Sequence, residues 1–545
     1  MQRLFLVILL GLLLTLPASA TFPQVRVLVE GATFQGTNGI TVGPDDHLYV
    51  ASVSGRQIGV VDPRTGRVLE RFGNEVGVET PDDLTFGSDG SLYWTSIYTG
   101  QVGRLFPDGT SQIIANLPPG ANPIAFNSDG RLFVALSAFG DALYELDPDG
   151  VDTPELLIDQ PGSLNGFEFG PDGLLYSPSL STGSVVRIDV DARTLETVAT
   201  GFGLITAVAF DSLDQLYATA PTGEIFRVDI VTGTFEVAAD LAEGGDNLAF
   251  DDRDRLYVTS LLDGSIRRVN LDTGRIRTVV SGGMTTPGGI AVTPRGFFGL
   301  RDEVWVADFF SLRSFTGFTG RELEFVPTIP LLTPLVGPST IAVDGDHFVL
   351  SSWILNAVQV YDPATESVLT SVGDFATPLN AIGWDGDLVV SELGTGSVVR
   401  ADGDDPTQRT ILGSGLAVPT GLALDHGDLY VAEWAAGTIR QLTQAGQILD
   451  PAPVIVSGLA QPEGLIVLDD GDLAVVETGA GRVTRIDPVT GATSLIADDL
   501  ELGAIAPVGA PPTWLFSGIA QGQYGRLFVS GDIANVIYSI RLVHH

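Results

Sequence analysis

The 545-residue sequence contains no cysteine and no lysine, and it has only five histidines. Without cysteine there can be no disulfide and no thiol chemistry, so packing of the core has to provide the stability. Because all 28 basic residues are arginine, mechanisms that use a lysine base or a lysine Schiff base are excluded. No histidine stands in a pattern with Ser and Asp that would indicate a catalytic triad.

Basic residues are scarce relative to the 67 acidic ones, and the formal net charge is −39. Such a surface repels nucleic acid and anionic lipid and attracts cations. We therefore expect no nucleic-acid partner. Hydrophobic residues make up 44% of the chain, which argues against disorder.

Long apolar runs are absent except near the start of the sequence. Residues 1–20 combine Arg3, an apolar run over residues 4–16 and a small-residue exit at Ala18-Ser19-Ala20. This pattern predicts a secretory signal peptide, and the run is shorter than the ~20 residues that a membrane span needs. We expect a secreted or periplasmic protein without a membrane span.

A unit of about 40 residues repeats along the whole chain. Residues 246–280, DNLAFDDRDRLYVTSLLDGSIRRVNLDTGRIRTVV, contain four short apolar runs separated by Asp- and Gly-containing turns. Each run has the length and composition of a strand. Four antiparallel strands in a repeat of roughly 40 residues are typical of a propeller blade.

Twelve repeats can be aligned on the Leu-Tyr-Val run of this unit. Rings of roughly four to eight blades are usual, so the count predicts an all-β protein with two tandem six-bladed β-propellers of four-stranded antiparallel blades. We expect ring 1 over residues 21–280 and ring 2 over residues 281–545. The aligned positions are Leu48, Leu92, Leu132, Leu175, Leu216, Leu256, Val304, Phe348, Leu388, Leu429, Leu473 and Leu527.

Closure of the rings can be predicted in two ways. Residues 25–29 have no blade of their own, and the last blade lacks an outer strand. In the first arrangement, a double latch, residues 25–29 add the outer strand of blade 6, and residues 275–280 leave blade 6 and add the outer strand of blade 12. Alternatively, residues 275–280 stay in blade 6, residues 25–29 are a free lead, and blade 12 has three strands.

Ring 2 is the less regular ring. A Phe-rich insertion lies between residues 295 and 321, and residues 501–512 lengthen the connection into the last blade. Loop insertions on a regular scaffold are places where binding specificity could reside. Pro and Gly are, however, also common in loops that only connect strands.

Polar side chains recur ten residues before each aligned position of ring 1, where the innermost strand of each blade begins. Six-fold geometry brings these positions to one end of the central channel, and a ring of carboxylate and amide oxygens suits a hard divalent cation such as calcium. The alternative is that the side chains cap turns. The six residues are Asn38, Asp82, Asn122, Asn165, Thr206 and Asp246, of which all but Thr206 are candidate metal ligands.

Ring 2 has only one acid, Glu463, among its corresponding residues, which are Gly288, Ser339, Leu379, Thr420, Glu463 and Ser517. Its own acids come four residues after the aligned position, at Asp308, Glu392, Glu433 and Glu477. An acid that ends a strand readily accepts bonds from a neighbouring loop, and we interpret these four as structural.

Two stretches carry a resemblance to a known family. NGFEFGPDGLLY at residues 165–176 and PTGLAL at residues 419–424 resemble blades of the SMP-30/gluconolactonase and NHL-type propellers. That family holds a divalent metal in its channel with a Glu, two Asn and an Asp that also acts as base. By position, Asn122 and Asn165 match the two amide ligands, whereas Asn38 replaces the Glu and Thr206 replaces the Asp.

Three functions follow as expectations. The first is a secreted double propeller that binds a small-molecule or protein ligand, with a calcium-like cation in the channel of ring 1. The second, implied by the resemblance, is a metal-dependent lactonase-type hydrolase in which Asp246 or Asp82 is the base, because Thr206 cannot serve as a carboxylate base. The third is a rigid interaction scaffold without metal.

Overall fold

The computed structural model describes residues 24–295, 301–329, 332–335 and 337–542. The expected signal peptide lies outside these residues. Within them the chain is all-β, and its helical elements are two short 3₁₀ helices, Asn74–Val76 and Thr478–Ala480. A search of the same residues finds no helix with the length and apolar character needed to cross a membrane.

Ring 1 consists of six four-stranded antiparallel blades formed from consecutive strands. In chain order, blades 1 to 6 are Thr37–Val42, Leu48–Ser52, Gln57–Val61 and Val68–Phe72; Pro81–Phe86, Leu92–Ser96, Gln101–Leu105 and Ser111–Asn116; Ala121–Phe126, Leu132–Leu136, Ala142–Leu146 and Glu155–Asp159; Glu168–Phe169, Leu175–Ser179, Ser184–Asp189 and Thr194–Thr200; Ala207–Phe210, Leu216–Thr219, Glu224–Val228 and Phe235–Asp240; Leu248–Phe250, Leu256–Thr259, Ile266–Asn270 and Arg275–Val280.

Ring 2 contains the other six sheets. Blades 7 to 11 are Ile290–Arg295, Arg301–Ala307, Ser311–Thr316 and Glu322–Pro327; Thr340–Asp344, His347–Ser352, Ala357–Asp362 and Ser367–Val372; Pro378–Trp384, Asp387–Glu392, Ser397–Ala401 and Arg409–Gly413; Pro419–Asp425, Asp428–Glu433 and Thr438–Gln444 with both Gln447–Ile448 and Val454–Ser457 on its outer edge; Pro462–Val467, Leu473–Glu477, Arg482–Ile486 and Thr493–Ala497. Blade 12 is Ile519–Gly522, Arg526–Gly531, Val536–Arg541 and the N-terminal strand Gln24–Glu30.

Contacts between innermost strands close two separate rings of six. The first strand of blade 1 contacts those of blades 2 and 6, and the first strand of blade 7 contacts those of blades 8 and 12. The prediction of two six-bladed propellers is confirmed.

The predicted double latch is wrong for both of its strands, and the alternative is right only in keeping residues 275–280 in blade 6. Gln24–Glu30 pairs antiparallel with Val536–Arg541, so the N-terminal strand completes blade 12 and not blade 6. Arg275–Val280 stays in blade 6, paired with Ile266–Asn270. Ring 1 has six complete blades of its own and needs no borrowed strand. Blade 12 takes only three strands from residues 519–541, so the N-terminal strand covers the edge of its third strand and makes it four-stranded.

The acidic turns between first and second strands are held by hydrogen bonds of their own side chains. In blade 4, Asp172 Oδ1 accepts a hydrogen bond from the Leu174 N–H at 3.1 Å, and Gly173 has a φ of +79°. A side-chain acceptor followed by a left-handed residue is what reverses a strand here.

An aromatic contact repeats from blade to blade in ring 1. In blades 1 to 5, the aromatic side chain next to the aligned Leu packs against the Phe that ends the first strand of the following blade, with centroids 4.9 to 5.3 Å apart. Each such pair contributes about 0.5–1.5 kcal/mol beyond its buried area. The pairs are Tyr49–Phe86, Tyr93–Phe126, Phe133–Phe169, Tyr176–Phe210 and Tyr217–Phe250.

The two rings contact each other through side-chain to backbone hydrogen bonds. Gln35 of ring 1 donates to the Asp532 carbonyl at 2.8 Å. Arg313 of ring 2 donates from Nη2 to the Leu262 carbonyl at 3.0 Å, while its Nε is 2.9 Å from the buried carboxylate of Asp308. The face of ring 1 that carries Asn38 and Asp82 therefore lies toward ring 2.

Candidate functional site

Three of the candidate ligands lie in the first strands of neighbouring blades, each within a β-bulge. Asn38, Asp82 and Asn122 fall between residues where the register shifts, in blades 1, 2 and 3. Asn165 and Asp246 lie just before the first strands of blades 4 and 6. Bulges re-aim side chains and are common beside functional sites.

The backbone of this channel mouth is fixed by threonine hydroxyls from neighbouring blades. Thr95 of blade 2 donates to the Asn122 carbonyl, and Thr259 of blade 6 donates to the Asn38 carbonyl, both at 2.6 Å. Each bond ties the second strand of one blade to the start of the next.

Asn38, Asp82 and Asp246 are brought together at this mouth. Asn38 Nδ2 donates a hydrogen bond of 2.9 Å to Asp82 Oδ1. Blade 1 stands between blades 2 and 6, and the carboxylate of Asp246 on blade 6 is close enough to act electrostatically on Asp82.

Three oxygen atoms of the candidate set are buried and have no hydrogen-bond partner within the described part of the chain. They are Asp82 Oδ2, Asn122 Oδ1 and Asp246 Oδ2. A buried acceptor without a donor costs about 1–3 kcal/mol. All three atoms are oxygens of the kind that bind hard cations.

Burial perturbs the acids of this site strongly. It raises the pKa of Asp82 well above the usual value, and the nearby charges of Asp246 and Asp83 raise it further. Burial likewise raises the pKa of Asp246 to about 7, with a contribution from Asp83. Asp246 as a whole residue is partly exposed, but its Oδ2 atom is fully buried. Burial of this oxygen is consistent with a raised pKa.

Asn165 and Thr206 are already engaged in local bonds. Asn165 Oδ1 accepts from the Gly166 N–H at 2.9 Å, as a capping side chain does. The Thr206 hydroxyl lies 3.3 Å from the Thr219 carbonyl and 3.2 Å from the Gly245 carbonyl, to either of which it can donate.

Sequence reasoning missed Asp83 and Asn247, the residues that follow Asp82 and Asp246. Asn247 Nδ2 lies 3.4 Å from Asp83 Oδ1, and Asp83 Oδ2 accepts from the Ile124 N–H at 3.2 Å. Burial raises the pKa of Asp83 to about 7, although these hydrogen bonds and one from Leu84 lower it. Both residues line the channel of ring 1, a cavity of about 310 Å³, together with Glu168.

The donor set fits a cation only if amide oxygens take part. Across residues 24–542, apart from the short gaps noted above, no group of three or more His, Cys, Asp and Glu side chains is arranged to hold a metal ion. Two carboxylates, Asp82 and Asp246, and the amide of Asn122 supply the three unpartnered oxygens. A mixed carboxylate and amide set is suited to calcium rather than to zinc.

The four acids that end strands in ring 2 have the structural role expected for them. Each accepts a hydrogen bond from a backbone N–H in the loop that comes before its own blade. Glu392, Glu433 and Glu477 accept from the N–H groups of Ala376, Ala417 and Ala460 at 2.7 to 3.0 Å. Asp308 accepts from the Thr285 N–H at 2.8 Å and pairs with Arg313.

Glu463 has a second buried acid, Asp532, close to it. Glu463 Oε2 accepts from the Ser517 N–H at 2.8 Å, and Asp532 accepts from the Gly503 and Ala504 N–H groups at 2.9 and 2.7 Å. Burial, followed by the charge of Asp532, raises the pKa of Glu463 well above its usual value. Backbone and hydroxyl donors thus satisfy these acids, in contrast to Asp82 and Asp246 of ring 1.

Comparison with known proteins finds sequence similarity over only part of the chain. No family model matches the chain. A gluconolactonase of Zymomonas mobilis subsp. mobilis is 31% identical over 145 residues, which is 23% of this chain and 40% of that protein. The chain thus matches well under half the length of this curated relative.

Solved structures with similarity include a gluconolactonase from Xanthomonas campestris, at 16% identity over 44% of this chain and 86% of that one, with a TM-score of 0.37. The extracellular domain of a proposed one-component system from B. thetaiotaomicron is 12% identical over 96% of this chain and 84% of that one, with a TM-score of 0.35. The chain is a double six-bladed propeller with a stretch similar to gluconolactonase.

Proposed function

We propose that the chain is an exported double propeller that holds a calcium-like divalent cation at the mouth of the ring 1 channel and binds a ligand there. Asp82, Asn122 and Asp246 would hold the ion most directly. Asn38 would orient Asp82 through their hydrogen bond, and Asn165 would contribute if its bond to Gly166 opened.

The observation that carries this proposal is the set of three unpartnered oxygens. Asp82 Oδ2, Asn122 Oδ1 and Asp246 Oδ2 are buried without donors. The acids at the same end of ring 2 have backbone donors and, for Asp308, Glu433 and Glu477, arginine donors as well. Turn capping explains Asn165 and leaves these three oxygens unexplained. A cation would satisfy them and offset the repulsion between the two carboxylates.

A metal-dependent lactonase-type hydrolase is the second candidate, favoured by the similarity to gluconolactonase and by the state of Asp246. A bound cation would act as a Lewis acid toward a carbonyl group. Burial raises the pKa of Asp246 to about 7, close to the value at which a general base is most effective near neutral pH. Asp82 is the other available base, while Thr206 has no carboxylate to offer.

Calorimetric titration of dialysed protein with calcium, manganese and zinc tests the proposal. We expect calcium binding that weakens at least about tenfold in Asp246→Asn, which removes a negative charge from the donor set, and in Asn122→Leu, which removes an oxygen ligand. Asp252→Asn, an exposed acid on the same blade, is the matched control. Equal titrations for all four proteins would contradict the cation site and favour the metal-free scaffold.

The hydrolase is tested separately with a panel of lactones in the presence of the cation that binds. Activity that disappears in Asp246→Asn at a cation concentration that saturates this variant would support it. Cation binding without turnover of any lactone would leave the binding function and remove the enzymatic one.

A further inference from the structure

A cavity of about 680 Å³ lies between the two rings, on the face of ring 1 that carries the proposed cation site. Asn38 and Asp82 form part of its lining. Its volume falls within the roughly 300–1,000 Å³ of typical ligand pockets, which often occur where two domains meet.

Aromatic side chains from both rings form its walls. Ring 1 provides Tyr98 and Phe139, and ring 2 provides Phe310, Trp353 and Trp514. The Tyr98 ring lies 5.5 Å from that of Phe139 and 6.3 Å from that of Trp514. Trp353 donates from its indole nitrogen to the Trp514 carbonyl at 3.1 Å, which fixes the ring 2 side of the wall.

Apolar side chains make up most of the lining away from Asn38 and Asp82, although Ser54, Ser163, Ser181 and Thr286 also line the cavity. The indole N–H of Trp514 is buried and has no partner among the described residues, so one donor is free beside the aromatic wall. A sugar would bury several hydroxyl groups against Phe, Leu and Trp side chains, and each unpaired hydroxyl costs about 1–3 kcal/mol. An aromatic or alkyl group would instead gain about 25 cal/mol for each Å² it buries.

The cavity opens to solvent between the rings. Phe139 on blade 3 and Leu355 on blade 8 line it and are still 45% and 42% exposed. Because one residue belongs to each ring, both rings form the entrance.

We propose that this cavity binds the apolar body of the ligand, whose oxygen-bearing end reaches the cation site. The ligand is then an aryl- or alkyl-substituted carbonyl compound, such as an aromatic lactone or ester, and not a sugar lactone. This inference rests on the proposed function, because the cation is what binds the carbonyl end. Ring 2 acquires a role as the half of the binding site that selects apolar ligands.

Calorimetry on the full-length protein with calcium present tests the inference with two uncleavable probes. These are 3,4-dihydroquinolin-2-one, an aryl lactam, and gluconolactam, a sugar lactam. We expect the aryl lactam to bind at least about tenfold more tightly. The double substitution Phe139→Ser and Leu355→Ser should weaken aryl lactam binding about tenfold while calcium affinity and melting temperature stay unchanged.

The matched control is Tyr524→Ser with Leu213→Ser, two residues that are 77% and 82% exposed and do not line the cavity. It should bind both probes as the wild type does. Gluconolactam binding as tight as that of the aryl lactam, or an unchanged aryl lactam affinity in the Phe139/Leu355 variant, would overturn the inference with the cation site intact. Aryl lactam binding that depends on Phe139 and Leu355 in a protein that binds no calcium would support the apolar cavity and contradict the proposed cation.

Discussion

Asn38 and Asp82, on neighbouring blades of ring 1, are joined by a hydrogen bond of 2.9 Å from the Asn38 amide to Asp82 Oδ1. The bond leaves Asp82 Oδ2 without a partner in the described residues. One oxygen of the carboxylate is therefore used for orientation, and the other is available to a ligand.

Replacing Asn38 by Asp converts this bond into a contact between two carboxyl groups. We expect Asn38→Asp to lower the stability of the calcium-free protein by roughly 1–2 kcal/mol, because two adjacent carboxyl groups either repel each other or must hold a proton between them. Calcium should recover this loss, because an added carboxylate strengthens the donor set. Thermal melts with and without calcium measure both effects, with the exposed turn substitution Asn270→Asp as control. An equal loss in both conditions would argue against a cation near Asn38.

Arg313 forms a buried ion pair with Asp308 within ring 2 and also joins ring 2 to ring 1 through its bond to the Leu262 carbonyl. Arg313→Met leaves the Asp308 carboxylate, which has no exposed surface, without its cation and removes the bond to the Leu262 carbonyl. We expect a loss of about 3–5 kcal/mol. Arg187→Met, on the third strand of blade 4, breaks an exposed pair with Glu196 on the fourth strand and should cost less than about 1 kcal/mol. Denaturant unfolding compares the two variants, and similar losses would contradict the role of Arg313.

Glu168 in the ring 1 channel predicts a pH dependence of stability. Burial raises its pKa from 4.5 to about 7, although a bond from the Phe210 N–H opposes the rise. The folded state therefore holds this proton more tightly than the unfolded chain, and ionisation reduces stability as the pH rises from 4.5 to about 7. Glu168→Gln should flatten this decline, whereas the exposed Glu196→Gln should not. Parallel stability curves for wild type and Glu168→Gln between these pH values would contradict the prediction.

The N-terminal strand should control the order of blade 12. Leu28 is buried in a cluster with Val304, Phe315 and Ile537, so Leu28→Asp buries a charge and should release the strand at a cost of at least about 2 kcal/mol. Val27→Asp is the control, since Val27 on the same strand is 46% exposed. Hydrogen exchange should increase in Val536–Arg541 for Leu28→Asp alone, with ring 1 unchanged. Unchanged protection of Val536–Arg541 would show that the latch does not hold blade 12.

The fold could be predicted from the sequence because each blade carries its own signals. The aligned Leu48, Leu132 and Leu256 each begin a second strand, and the Asp-Gly turns fix where strands reverse. The latch could not be predicted, because pairing of Gln24–Glu30 with Val536–Arg541 leaves no local mark in the sequence. The domain limits at residues 21–280 and 281–545 remain predictions.

The candidate site was only partly accessible to sequence reasoning. Six-fold symmetry placed Asn38, Asp82 and Asn122 at one channel mouth. In a regular strand, neighbouring side chains alternate between faces, so Asp83 would point away from the channel. The bulge between Pro81 and Leu84 changes the direction of the Asp83 side chain. The cavity between the rings could not be predicted, because it depends on how the two rings pack against each other. Residues 501–512 contribute to this contact, since the Ile505 carbonyl accepts a bond from Arg56 of ring 1.

Anomalous diffraction from crystals grown with manganese, and again with calcium, tests the central claim most directly. The account predicts one ion at the mouth of the ring 1 channel, within about 2.0–2.6 Å of Asp82 Oδ2, Asn122 Oδ1 and Asp246 Oδ2. A channel mouth without an anomalous peak, in which these three oxygens are bonded only to water, would contradict it.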